Sequence, residues 1–184
     1  MSEETLRRWR RLDEPGLELM HLSKTADGVQ VTSDLIHAGA DPFGLRYSWS
    51  LDGSWRTKSL RISLRREGRD FTCDVERTGA SSWSVDGQPR PDLSGCIELD
   101  LSATPFCNSL AIRHLGATGE LVVGFIQLPG LSITPSLQRY EAMGPNQWRF
   151  VDLGASKGFT AILTLDSENL VQRYEGLFEE ISAP

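Results

Sequence analysis

The chain has little cysteine, little histidine and almost no helical period, and each shortage removes a class of function. Three cysteines among 184 residues, Cys73, Cys96 and Cys107, form an odd set with no CxxC pair. No histidine stands at ligand spacing from them, so neither a disulfide framework nor a zinc site is expected. His21, His37 and His114 are scattered and fall in no HxH or HExxH pattern, so no metal or other cofactor is expected. Positive charge is short as well. Lys and Arg number 19 against 25 Asp and Glu, a net charge of −6, which is the wrong sign for a general nucleic-acid binder. The local basic runs, LRRWRR and the segment 55–69, read as solvated faces. No stretch of about 18 apolar residues occurs, and MSEETLRRWRRLDEP carries no apolar export core. A cytoplasmic protein without a transmembrane segment is the expectation.

What the chain does have is alternation. Short runs of period two, broken by turn residues, dominate from end to end, the pattern of an all-β domain. GLELMHLS, GVQVTSDLIHA, FGLRYSWSL, WRTKSLRISLR, RDFTCDVER and SSWSV read as strands, while LRRWRRL could be a leading strand or one helical turn. Asp86-Gly87 is a hairpin dipeptide, because both residues tolerate positive φ. GCIELDL, FCNSLAIRHL, ELVVGFIQL, SLQRYEAM, NQWRFVDL, KGFTAILTL and LVQRYEGLF continue the series. About a dozen strands cannot stay flat and open, so one antiparallel barrel or spiral β-roll over 1–184 is expected. A barrel wider than about eight strands is too broad for side chains alone to fill, and it encloses a ligand space.

Candidate site residues follow from strand parity. Phe43, Leu45, Tyr47, Trp49 and Leu51 share one face, so Tyr47 and Trp49, with Ile62 and Phe125, are read as walls of an apolar pocket. In WRTKSLRISLR the parity of Leu60, Ile62 and Leu64 carries Arg56 and Lys58 to the same side, unless a bulge at Thr57 intervenes. Inward cations are costly unless paired or open to water, which suits a cavity rim facing a polar head group. Glu98 and Asp100 lie one strand period apart. That pair could serve hydrolysis together with His114, or simply occupy a solvent face. Cys107 beside Asn108 has no base nearby in sequence and reads as an inert thiol.

Several blocks resemble a bacterial family of proposed glycolipid-binding proteins. They are Pro15-Gly16-Leu-Glu18, Asp52-Gly-Ser-Trp55-Arg56-Thr-Lys58 and Trp83 to Gly87, then Gly95-Cys96 leading into Glu98 and Asp100. Thr104-Pro105-Phe106, Asn108, Leu110-Ala-Ile112-Arg113-His-Leu115, Gln138-Arg-Tyr140 and the segment 166–178 follow in order. Ala111, Cys107, His114, Asn169 and Glu175 depart from the residues common there. The resemblance implies a barrel-like β-roll similar to lipoprotein carriers, whose apolar interior takes acyl chains. Binding of an amphipathic small molecule, a glycolipid or another lipid-like ligand, without turnover is therefore expected. Arg56, Lys58, Arg113 and His114 would meet the polar head, and Tyr47, Trp49, Ile62 and Phe125 the apolar part. The alternatives are a hydrolase of a glycosidic or ester bond in the same cavity, and a structural or partner-binding domain with a filled interior.

Overall fold

The strands join into one sheet whose middle is made by the two ends of the chain. The computed structural model describes residues 3–182; the single domain expected over 1–184 includes 1–2 and 183–184, which lie outside the described residues. In chain order the strands are β1 (Glu3–Arg11), β2 (Gly16–Thr25), β3 (Gly28–His37), β4 (Phe43–Leu51) and β5 (Thr57–Arg66). They continue as β6 (Arg69–Arg77), β7 (Trp83–Val85), β8 (Gln88–Pro89), β9 (Glu98–Leu101) and β10 (Gly119–Gln127). The last are β11 (Ser132–Gly144), β12 (Gln147–Asp152), β13 (Thr160–Leu165), β14 (Val171–Tyr174) and β15 (Phe178–Glu180), and one helix, α1 (Phe106–Leu115), follows β9. Across the 15-stranded sheet the order is β8-β7-β6-β5-β4-β3-β2-β1-β15-β14-β13-β12-β11-β10-β9. Two meanders therefore meet at β1 and β15, giving an N-terminal wing and a C-terminal wing.

The all-β class is as expected, but of the two expected forms, barrel or spiral β-roll, the closed barrel is excluded because the sheet is open, and it has more strands than a dozen. β8 and β9 are its two free margins. They still approach one another through the chain between them. The Trp83 indole donates to the Cys96 carbonyl (2.9 Å), Arg77 to the Ile97 carbonyl (2.7 Å) and Arg90 to the Ile133 carbonyl of β11 (2.9 Å). LRRWRRL is a strand, paired with β2 and β15. LVQRYEGLF is two short strands, turned at Gly176 with φ +75°. The Asp86-Gly87 hairpin is as read: both residues have positive φ, and Val85 pairs with Gln88 across them.

FCNSLAIRHL is a helix where a strand was expected. Seven consecutive residues, Phe106 to Ile112, are buried, so no polar stripe exists to reveal a helical period. The segment lies on the concave side of the sheet, touching both wings. Phe106 packs edge-on against Trp49 of β4 (5.7 Å between ring centres), and the Val171 N–H of β14 bonds the Ser109 hydroxyl (3.0 Å). Its start is marked by Pro105 and by the Thr104 hydroxyl, which accepts the Phe106 N–H (3.2 Å). Its end is marked by Gly116 at φ +65°, whose N–H bonds the Ile112 carbonyl. Only glycine takes that left-handed position without cost. α1 is also what makes β9 and β10 parallel, since a parallel pair needs a long crossover.

Alternation builds the rest of the core. One inward row crosses the N-terminal wing as Leu22, Val31, Trp49, Leu60, Val75 and Val85, each the cross-strand partner of the next. Leu22, Val31, Trp49, Leu60 and Val75 are essentially inaccessible to solvent, and each side chain so buried contributes about 1.5–3 kcal/mol.

Candidate functional site

Of the residues chosen from the sequence, Tyr47, Trp49 and Ile62 are inward but line no cavity. All are at most 1% exposed. The Tyr47 hydroxyl donates to Glu18 Oε1 (2.7 Å), and the Trp49 indole donates to the Thr57 hydroxyl (2.8 Å). The space they were expected to bound holds α1 and the loop before it. Arg56 and Lys58 are exposed, which corrects the inward reading. The register with β4 shifts between Ser50 and Leu51, so that Ser50 faces Ser59 and Leu51 faces Thr57. Lys58 is the extra residue of this bulge, and Thr57 takes the buried position instead.

Arg113 and His114 close the C-terminal end of α1. The Arg113 guanidinium lies 4.0 Å over the Trp55 ring and donates to the Glu168 carbonyl. Burial, then the nearby charges of Arg56 and Arg77, hold His114 below its ordinary pKa. Arg56, Arg113 and His114 are thus near one helix end, as two cations and a histidine kept neutral.

The three residues of the hydrolytic alternative do not come together. Glu98 accepts the Thr57 N–H (3.1 Å) and hydroxyl, and it pairs with Arg77 (3.2 Å). Asp100 accepts from Gln138 and from the Cys107 thiol (2.9 Å). Neither carboxylate bonds the other or His114 among the described residues. Burial first, then the Asp100 charge, pushes the Cys107 thiol well above its ordinary value, so it stays protonated and is a poor nucleophile.

An unfilled space does exist, beside the N-terminal half of α1 and under the C-terminal wing. A cleft of about 280 Å³ is lined there by Phe125, Phe150, Phe159 and Tyr174 on its apolar side, and by Asp100, Asn108 and Asp152 on its polar side. Phe125 alone among the expected wall residues belongs to it. The aromatic side is continuous: Phe150 is 6.0 Å from Tyr174 and 6.2 Å from Phe159, and Tyr174 is 6.1 Å from Phe178. A second hollow of about 320 Å³ adjoins it, sharing Ser102 and Phe125.

The polar side is nearly all engaged. Asn108 donates to the Tyr140 hydroxyl (2.9 Å), which donates to Gln138 Oε1 (3.0 Å), and Gln138 in turn donates to Asp100. Burial raises the Asp100 pKa, the bonds from Cys107 and Gln138 oppose this, and the Asp152 charge adds to it. Two buried groups are left over. Asp152 accepts the Gly154 N–H (2.7 Å) with one oxygen only, Oδ1. Tyr174 has a hydroxyl bonded to nothing among the described residues, and burial with the charge of Asp100 keeps that phenol protonated. The cleft thus offers one free acceptor and one free donor against a ring wall.

Asp152 was missed in the sequence although a signal was present. In NQWRFVDL it follows Trp148 and Phe150 at period two, so a carboxylate stands on the apolar face of its strand. Asp152 is 5% exposed. A charge there either pairs or faces a site. Among the described residues no group of acids, histidines and cysteines could hold a metal ion, and no helix is long and apolar enough to cross a membrane.

Residues 6–180 match the family described as "Putative glycolipid-binding". A crystal structure of a DUF1089 family protein from Pseudomonas aeruginosa is similar, with a TM-score of 0.77 and 25% identity over 98% of this chain and 92% of that one. A beta-barrel-like protein of domain of unknown function DUF1849 from Brucella abortus shares the fold, with a TM-score of 0.53 and 8% identity over 98% and 96% of the two chains. No curated protein matches the sequence.

Proposed function

Because the chain belongs to the "Putative glycolipid-binding" family, we propose that it holds the hydroxylated head of an amphipathic small molecule in the cleft beside α1, without turning it over. The observation that carries this reading is the pairing of free Asp152 Oδ2 and the Tyr174 hydroxyl with the wall of Phe150, Phe159 and Tyr174. A sugar ring needs an acceptor and a donor for its hydroxyls and a flat apolar surface for its C–H face, and the cleft supplies these three. At about 280 Å³ the space suits one ring rather than an acyl chain. The apolar part would leave past Phe125 into the adjoining hollow. Retention rather than hydrolysis is favoured by the protonated Cys107 thiol and by the separate bonding of Glu98 and Asp100.

The test is a thermal-shift series with n-alkyl glycosides, matched n-alkyl alcohols and free monosaccharides, run beside lipid mass spectrometry of protein purified under mild conditions. Stabilisation by the glycosides exceeding that by the alcohols is expected, together with a co-purified hydroxylated amphiphile. Equal or absent shifts across the panel, with no stoichiometric lipid recovered, would refute the reading.

A further inference from the structure

A hollow of about 800 Å³ lies elsewhere, on the outward face of the N-terminal wing. Two cross-strand rows form it. The first runs Leu17, Ile36, Gly44, Arg65 from β2 to β5; Arg10, which precedes it on β1, is outside the lining and pairs with Glu179. The second runs Arg8, Leu19, Asp34, Arg46, Ser63 from β1 to β5. The first is apolar up to Arg65, which pairs with Asp70 (3.9 Å); the second sets Leu19 beside Arg8 and then the paired Asp34 and Arg46. Ile36 is 65% exposed, Leu17 58% and Leu19 40%, with Ile181 beside them at 38%. Outward positions of a half-buried strand are ordinarily polar, and soluble monomers seldom gather exposed aliphatic side chains in one place.

Gly44 keeps the trough open. A Cβ added there would meet nothing within 4 Å, so the missing side chain leaves space over the strand. Four strand spacings of about 4.8 Å separate β1, which carries Arg8, from β5, which carries Arg65, about 19 Å in all, the span of an extended alkyl chain. Of the three arginines that line the trough, one is uncommitted. Asp34, the acid on the trough floor, is paired with Arg46 (2.7 Å), whereas Arg8 has no ion pair among the described residues. A bound group that is long, apolar and negatively charged at one end answers all of these features. A second copy of this chain would bring arginines against arginines. A membrane plane would not enter a concave trough.

We propose that this trough is a binding site for a single-chain fatty-acid anion, separate from the cleft beside α1, with Leu17, Leu19 and Ile36 along the chain and Arg8 at the carboxylate. The test uses the full delipidated chain and three probes of equal length: dodecanoate, dodecanol and dodecyltrimethylammonium. Calorimetric titration is expected to give one dodecanoate per chain, bound about tenfold or more tighter than the ammonium probe. Gly44→Leu fills the trough without backbone strain or clash and is expected to weaken dodecanoate about tenfold or more with an unchanged melting temperature. Arg8→Gln is expected to weaken dodecanoate about fivefold and leave dodecanol as it was. Gly44→Leu also keeps the alkyl-glycoside shift, so failure at the trough and failure at the cleft are told apart. The proposal is overturned if Gly44→Leu binds dodecanoate normally, or if the two charged probes bind alike. It is likewise overturned by a dimer that Gly44→Leu disperses, or by co-sedimentation with anionic vesicles in the absence of soluble dodecanoate binding.

Discussion

The two wings close on the same helix in different ways. On the N-terminal wing, Trp49 meets Phe106, Tyr47 reaches Glu18, and the inward row around them is packed solid. On the C-terminal wing, Asn108 and its neighbours leave a cleft in which a carboxylate oxygen and a phenol are unengaged. Both regions are aromatic and both hold buried acids, so composition does not separate them. The difference is whether an unengaged polar group faces open space. On the N-terminal wing Glu18 Oε2 lacks a partner but is sealed in the core; on the C-terminal wing Asp152 and Tyr174 turn theirs to a cleft, which is fitted to bind.

The largest effect that divides the wings is the loss of a large ring. Trp49→Ala is expected to cost about 3–5 kcal/mol, since the side chain is fully buried and its neighbours cannot collapse into the space. Phe159→Ala, at a ring 37% exposed on the cleft, is expected to cost no more than about 1 kcal/mol and to remove the alkyl-glycoside shift. Urea unfolding of both variants checks this. Comparable losses would mean that the cleft is core after all.

Much of this contrast was hidden in the sequence for a physical reason. Alternation made β2 to β6 plain, and Asp86-Gly87 fixed its hairpin, because both are local signals. The resemblance gave the family. α1 was hidden because its polar residues, Asn108 and Ser109, face partners inside the roll, so no water-facing stripe betrays a helix; only Pro105 and Gly116 punctuate it. The inversion of Arg56 and Lys58 rests on a single bulge residue, and one residue is enough to exchange the faces of a strand end. The cleft residues come from β9, α1, β10, β12, the loop before β13, β14 and β15, and their convergence is a property of the sheet order rather than of any one segment.

A smaller effect comes from the acid sealed inside the N-terminal wing. Glu18 accepts from Ser33 (2.8 Å) and Tyr47 with Oε1, while Oε2 is buried without a partner. Burial raises its pKa from 4.5 to about 7, against the pull of those bonds. The folded chain therefore holds this proton more tightly than the unfolded one. The resulting stability is fully present below pH 4.5 and is lost as pH rises through about 7. Glu18→Gln, which keeps the acceptor and cannot ionise, is expected to be more stable than the native protein at pH 8 and nearly equal to it at pH 5. The gap is on the order of 2–3 kcal/mol. Melting temperatures measured from pH 5 to 8 decide it, and parallel curves for the two proteins would remove Glu18 from the account.

The smallest effect on stability is the sharpest test of the comparison, and it needs two tyrosines. The Tyr140 hydroxyl is engaged on both sides, accepting from Asn108 and donating to Gln138. Tyr140→Phe strands both partners inside the protein and is expected to cost about 1–3 kcal/mol. The Tyr174 hydroxyl, by contrast, lines the cleft and bonds no described residue, so Tyr174→Phe removes no internal bond and is expected to stay within about 0.5 kcal/mol of the native stability. Its effect should fall on the ligand instead. Losing one hydrogen bond to a sugar hydroxyl weakens alkyl-glycoside binding about fivefold, roughly 1 kcal/mol. Asp152→Asn is a poorer probe of the same point, because Asp152 also holds the Gly154 N–H. If Tyr174→Phe proves as costly to fold as Tyr140→Phe, the hydroxyl has an internal role and the distinction between core and cleft fails at that residue. If it folds normally and binds glycosides normally, the cleft is open but does not take the head group.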